Sequence, residues 1–175
     1  MTACEELINI PDKTIPISDG ERKSNCLTIM KFLLEKSGLP NMTKERAAGI
    51  CGNMDAESRY NPTAVNPSSK AFGICQWLGP RKKNLKIFAK ENQQCVRELD
   101  LQLKFLVNEL NSSEKSAWTH VTSGSNDVKT ATWLFCRWFE RPGVTAQEMD
   151  SKKGKIEEER YPKAQEALTE YNNGN

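Results

Sequence analysis

Residues 60–80, YNPTAVNPSSKAFGICQWLGP, hold three prolines and two glycines and split an otherwise helical pattern in two. Proline removes a backbone donor and glycine favours turns, so no long helix crosses this stretch. Its short apolar pieces between turn residues predict turns and one small β-hairpin. Helical signals stand on either side. Ser24 caps a first helix with a stripe of Leu27, Met30, Leu33 and Leu34, stopped by Gly38 and Pro40. Thr43 caps a second helix that runs to about Arg59, with Ala47, Ile50, Cys51 and Met54 on one face. Gly49 and Gly52 lower its propensity and permit close packing against a neighbour. After the break, helix resumes from Arg81 to Lys90. Leu99, Leu103, Leu106 and Leu110 mark another face, and Val128, Ala131, Leu134, Phe135 and Trp138 a third. Residues 155–171 form a last amphipathic piece, interrupted at Pro162. Residues 1–23 show no helical stripe, because Pro11, Pro16, Asp19 and Gly20 break it. They read as an arm or docking segment, or equally as a strap over the core, with one domain over 24–175.

The chain has 175 residues, with Lys+Arg 25 against Asp+Glu 23, a net charge of +2. That balance gives no support to a nucleic-acid partner, which asks for a strong basic excess. No stretch approaches the ~20 apolar residues of a membrane span. MTACEELINIPDK lacks a positive n-region followed by an apolar h-region, so no secretory signal is read. Cysteines 4, 26, 51, 75, 95 and 136 form no CxxC pair and sit mostly within apolar patterns, which predicts free buried thiols. His120, the one histidine, reads as a loop residue and excludes a His-rich zinc site.

The candidate chemistry centres on Glu57. Ile50, Met54 and Glu57 recur at i, i+4 and i+7, which places Glu57 on the apolar face at a helix C-terminal end. Burial and the negative end of the helix dipole both favour the protonated carboxyl. A carboxylic acid kept protonated near neutral pH is what a glycosidase uses to protonate a leaving oxygen. The structural alternative is a helix-end Glu bonded to Arg59 or Arg81.

The segment GNMDAESRYNPTAVNPSSKAFGICQW resembles the signature of the phage tail lysozyme family, within the wider lysozyme-like superfamily. The matching elements are Glu57-Ser58 at a helix end and Gly73-Ile74-Cys75-Gln76-Trp77 in the hairpin. Gly52-Asn53-Met54, Asn61-Pro62, Arg81, the Leu101-Gln102 to Glu109-Leu110 helix and Phe139-Glu140-Arg141-Pro142 also match, in order. The resemblance covers roughly 25–168. It implies a mainly α, α+β lysozyme-like fold with one small β-hairpin beside the catalytic helix. It also implies cleavage of the β-1,4 bond between N-acetylmuramic acid and N-acetylglucosamine in peptidoglycan. In that reading Glu57 is the general acid, and Ser58 orients the carboxyl or the substrate. Gly73 lets the sugar approach the hairpin, and Gln76 bonds sugar amides or a catalytic water. Trp77 offers its face to a pyranose or serves the core. Gln102 counts with the substrate-binding residues as a support for the cleft wall. No cofactor or metal is required.

Two-carboxylate glycosidases need a base or nucleophile as well, and no Asp or Glu occurs between Ser58 and Lys90. Asp55 lies two residues before Glu57, so it points to another helix face and reads as a solvated charge. Glu140 can reach the cleft from a separate element, unless the adjacent Arg141 neutralises it. The third possibility is that no second carboxylate acts, as in a lytic transglycosylase, where the substrate's C6 hydroxyl captures the cation. Arg81, Lys82, Lys83, Lys86 and Lys90 form a basic patch, read as a solvated face or as attraction to an anionic wall polymer.

The resemblance further implies a virion-borne enzyme, tail-associated, made in the host cytoplasm and acting on the host wall. Residues 1–23 are a candidate attachment to other tail proteins. The alternatives are a catalytically inactive virion protein of the same fold, a bacterial transglycosylase and a free endolysin.

Overall fold

Ser18 starts the first helix, earlier than its stripe suggests. The computed structural model describes residues 6–141 and 145–174, and in it α1 spans Asp19–Lys31. The Ser18 hydroxyl accepts from the Glu21 N–H at 3.1 Å, and the Glu21 carboxylate accepts from the Ser18 N–H at 2.7 Å. This reciprocal capping box starts the helix and outweighs the low propensity of Gly20, which the sequence reading treated as a breaker. A π-helical turn, Phe32–Lys36, continues α1, and Gly38 at φ +63° ends it.

α2, Lys44–Ser58, is the central element. Thr43 caps it, and every residue from Arg46 to Asp55 is buried. Such burial on all faces requires neighbours that come very close. A Cβ on Gly49 would lie 2.7 Å from the Thr132 nitrogen, and one on Gly52 would lie 2.7 Å from the Arg160 carbonyl oxygen. The two glycines are therefore where α6, Val128–Phe135, and α8, Lys153–Asn173, press against α2. Arg59 and Tyr60 then take φ 55° and 59° and end α2 sharply.

The expected β-hairpin does not form a sheet. Among the described residues the segment makes two isolated antiparallel bridges, Val65 to Phe72 and Phe72 to Trp77. Positive φ at Lys70, Gly73 and Gln76 turns the backbone too often for a strand to extend. The loop is held by side chains reaching in from elsewhere.

Three further helices follow the loop: α3, Gly79–Glu91; α4, Leu99–Asn111; and α5, Lys115–Ser123. α6 runs into a second π-helical turn, Cys136–Glu140, and α7 spans Ala146–Ser151. His120 was expected in a loop. It lies in α5, because Ala117, Trp118 and Val121 bury one face there, and its ring stacks on Trp138 at 3.7 Å between centroids. Pro162 does not interrupt the last helix, which runs unbroken through it. Packing of Ala164 and Ala167 beyond the proline outweighs a cost of about 3 kcal/mol.

Residues 7–15 lie against the domain as a strap. The Leu7 carbonyl accepts from the Val96 N–H at 2.7 Å, Thr14 exchanges two hydrogen bonds with Val65, and Asn61 and Thr63 donate to the Ile15 carbonyl. Ile8 and Ile10 pack on the main core. Cys26, Cys51, Cys75, Cys95 and Cys136 are free thiols, all but Cys95 buried, while Cys4 falls outside the described residues. No described helix is long and apolar enough to cross a membrane.

Candidate active site

Glu57 stands in the last turn of α2, and its partner comes from 103 residues away. Arg160 of α8 donates to Glu57 Oε1 at 2.7 Å and to Asn53 Oδ1 at 2.8 Å. Asn53 lies one helical turn before Glu57, and its amide donates to the Gly49 and Thr132 carbonyls. A buried chain of hydrogen bonds thus runs from α6 through α2 to α8 and ends on Glu57. Arg160 engages Oε1; among the described contacts, Oε2 has no protein partner. The Glu57 side chain retains 19% of its exposure.

Glu140 reaches the same place from the π-helical turn. The Arg141 N–H donates to the Cys136 carbonyl at 2.9 Å, the wide i→i+5 closure, and Arg141 takes φ 43°. Such turns recur at functional sites. Glu140 Oε1 is shut off from solvent and has no hydrogen-bond partner. Its pKa is pushed well up, first by burial and then by the negative charge of Glu57, while Arg160 and Arg81 pull it down. Glu57 and Glu140 line one cleft of about 540 Å³, together with Gln76, Leu78 and Arg81. Cys75 also borders the cleft, but burial raises its thiol pKa well above the usual range and keeps it unreactive.

Behind the cleft, Glu109 of α4 ties three elements together. Its carboxylate accepts from Arg81 at 2.7 and 2.8 Å and from the Trp77 indole at 2.8 Å. Arg81 lies over the Phe139 ring, 4.3 Å from its centroid, and donates to the Phe139 carbonyl. The residue before Glu140 is therefore clamped to the residues after Gln76.

The matched stretch of sequence covers these elements. A profile of phage tail lysozymes matches residues 24–171. The chain belongs to the phage tail lysozyme family. It is also similar to Morphogenesis protein 1 of Bacillus phage B103, 27% identical over 141 residues. The similarity covers 74% of this chain and 37% of that protein, so the chain spans well under half of the relative's length.

Within this phage tail lysozyme fold, the residues singled out from sequence separate into two groups. Glu57, Gln76 and Glu140 meet in the cleft. Gln76 donates both amide hydrogens to the Gly73 and Ala64 carbonyls, which leaves its side-chain oxygen available to the cleft. The others support it from behind. Trp77 is 1% exposed and cannot offer a face to a pyranose. Gln102 is fully buried; it accepts from the Ile74 N–H and donates to the Pro62 and Val96 carbonyls, so it holds the loop and touches no substrate. Gly73 is required by φ +82° and by Gln102, whose Oε1 a Cβ would meet at 2.6 Å, rather than by an approaching sugar. The Ser58 hydroxyl donates to the Met54 and Ile74 carbonyls, which fastens α2 to the loop and does not orient the carboxyl.

The expected neutralising partners are also reassigned. Arg59 pairs with Asp19, Arg81 with Glu109, and Arg141 with Glu114. Asp55 is not a solvated charge: it is 2% exposed and bound by Arg22 and Lys163. Pro142 of the Phe139–Pro142 turn lies outside the described residues. Sequence reasoning missed Arg160 and Leu78, and it named Asn53 only as part of the motif, without a role. Asn53 stood one turn before Glu57 and was readable by helical spacing; nothing local marked Arg160. No group of three or more His, Cys, Asp or Glu among the described residues is arranged to hold a metal ion.

Proposed function

We propose that this phage tail lysozyme domain cleaves the β-1,4 bond between N-acetylmuramic acid and N-acetylglucosamine, with Glu57 as general acid, on a virion that penetrates the host wall. The observation that carries this reading is the pair of carboxyls, Glu57 and Glu140, in one cleft with Arg160 behind them. Two adjacent carboxyls do not both ionise cheaply, so the pair retains a proton that a leaving oxygen can take. Glu57 delivers it, because its side chain is the more open to the cleft and one of its oxygens is uncommitted. The proton that burial keeps on Glu140 leaves through Glu57 to the leaving oxygen, and the Glu140 carboxylate so formed orients a water or stabilises the cationic sugar. Gln76 supplies an amide oxygen to the substrate or that water, and Leu78 an apolar patch.

A second reading has one specific support. The relative from phage B103 is named for morphogenesis, which favours a structural part in the particle. The two are separated by mass spectrometry of products from purified peptidoglycan, with Glu57→Gln as control. New ends carrying an added water, absent with Glu57→Gln, support the hydrolase. Anhydro-muramyl ends identify a transglycosylase and make Glu140 dispensable as a base. Equal products from both proteins remove Glu57 from the role of acid, and none from either leaves the structural reading standing.

A further inference from the structure

α3 leaves the rim of the cleft with four lysines, Lys82, Lys83, Lys86 and Lys90, and one carboxylate, Glu91, at its end. The lysines in ion pairs among the described residues are Lys23, Lys104, Lys129, Lys153 and Lys163, all from other elements. Lys82, Lys86 and Lys90 recur at i, i+4 and i+8, so they form one line about 12 Å long. Lys83 stands beside it. The whole chain carries only +2, so this is a local concentration of charge. The line begins at the cleft: Leu78 and Arg81, at the head of α3, border it. Lys82 also donates to the Lys70 carbonyl at 2.7 Å, which joins the helix to the loop on the facing rim.

The pattern selects among anionic partners. A single-stranded nucleic acid needs exposed aromatic rings between the charges, and Phe88 packs against the core; a duplex, held by phosphate contacts alone, is an outcome of the test. A peptide stem of the glycan bears a few carboxylates at one place, whereas the stripe repeats its charge away from the cleft. A linear polymer with an anion at every repeat meets successive lysines. We propose that the α3 stripe docks a phosphodiester polymer of the cell wall alongside the glycan strand held in the cleft. The proposal rests on the wall-cleaving reading for its purpose, but its test reads binding and not cleavage.

The full chain carrying Glu57→Gln is co-sedimented with cell walls before and after hydrofluoric-acid removal of their phosphodiester polymers. The comparison is with the same chain also carrying Lys83→Gln, Lys86→Gln and Lys90→Gln, residues that line no part of the cleft. Circular dichroism checks that both are folded, and a triple Lys→Arg variant retains the charge. Three fewer neutralised phosphates flatten the salt dependence by about two logarithmic units per decade, so between 50 and 200 mM salt the parent loses roughly 20-fold more affinity than the Gln variant. The expected result is this difference on untreated walls, its disappearance on extracted walls, and full binding by the Arg variant. Equal binding by all forms overturns the proposal. So does a loss that persists on extracted walls, which assigns the stripe to stem-peptide carboxylates, or a loss seen only with duplex DNA. Absence of cleavage in the product assay leaves this binding result readable on its own.

Discussion

Arg160 constrains Glu57 through one oxygen only, and the proposed chemistry depends on that asymmetry. Its planar guanidinium spans Asn53 and Glu57 at 2.8 and 2.7 Å; a lysine ammonium keeps the charge without the fork. Arg160→Lys is therefore expected to lower product formation roughly 10–100-fold by misplacing the carboxyl, to move the acid limb of the pH–rate profile, and to change Tm little. An unaltered rate and profile would remove Arg160 from the positioning role. Glu140 makes a separate prediction. Its folded pKa is raised, so the native state holds a proton that the unfolded chain has lost above the ordinary Glu value near 4.5. The stability it confers is fully present below that value and is lost as pH rises toward the folded pKa, by about 1.4 kcal/mol per pH unit. Glu140→Gln should flatten this decline, so the variant gains on the parent between pH 5 and the raised value. Urea titrations at several pH values check it.

At the scale of elements, the placement of Glu57 follows from the packing of α2. Gly52 lets the α8 backbone pass so close that a Cβ would meet the Arg160 oxygen at 2.7 Å and the Ala164 nitrogen at 2.8 Å. Backbone cannot yield as a flexible side chain can. Gly52→Ala should cost about 1–3 kcal/mol, and because it pushes away the turn that bears Arg160, activity should fall further than the loss of folded protein explains. Thermal melts run beside rate measurements separate the two effects. The π-helical turn does comparable work on the other side of the cleft. Its extra residue re-aims Glu140 inward, and Arg81 locks the turn through the Phe139 carbonyl and ring.

The whole molecule assembles the cleft from one continuous stretch, the end of α2, the loop after it and the head of α3, and from the distant turn before Arg141. A strap from the N-terminal segment holds the loop among them. Deleting residues 1–17 leaves the Ser18 cap intact but removes the bonds from Leu7, Thr14 and Ile15 to Val96, Val65, Asn61 and Thr63. At about 1 kcal/mol each, with the core surface beneath Ile8 and Ile10 uncovered, the loss should be on the order of 3–5 kcal/mol. Hydrogen exchange should quicken first at the Val65 and Val96 amides. Unchanged protection there would return the segment to the role of a free arm available to a tail component.

The amino-acid sequence by itself determined the features that rest on local chemistry. The Thr43 cap, the stop at Gly38, the close-packing glycines of α2 and the break at 60–80 all follow from backbone preference and apolar spacing within a few residues. So did the cleft position of Glu57 and the return of Glu140 as its candidate partner, through periodicity and motif. Where local signals conflicted, the reading failed: the Ser18–Glu21 box outweighed Gly20, and core contacts carried α8 through Pro162 and folded α5 around His120. Only the tertiary structure decided which polar groups face the cleft and which support it. Trp77, Gln102, Gly73 and Ser58 share a motif with Gln76, yet each spends its surface or hydrogen bonds on the interior. Arg160 shows the reason most directly. A half-buried carboxylate recruits whichever cation the fold brings within reach, and a partner 103 residues away leaves no trace in local spacing.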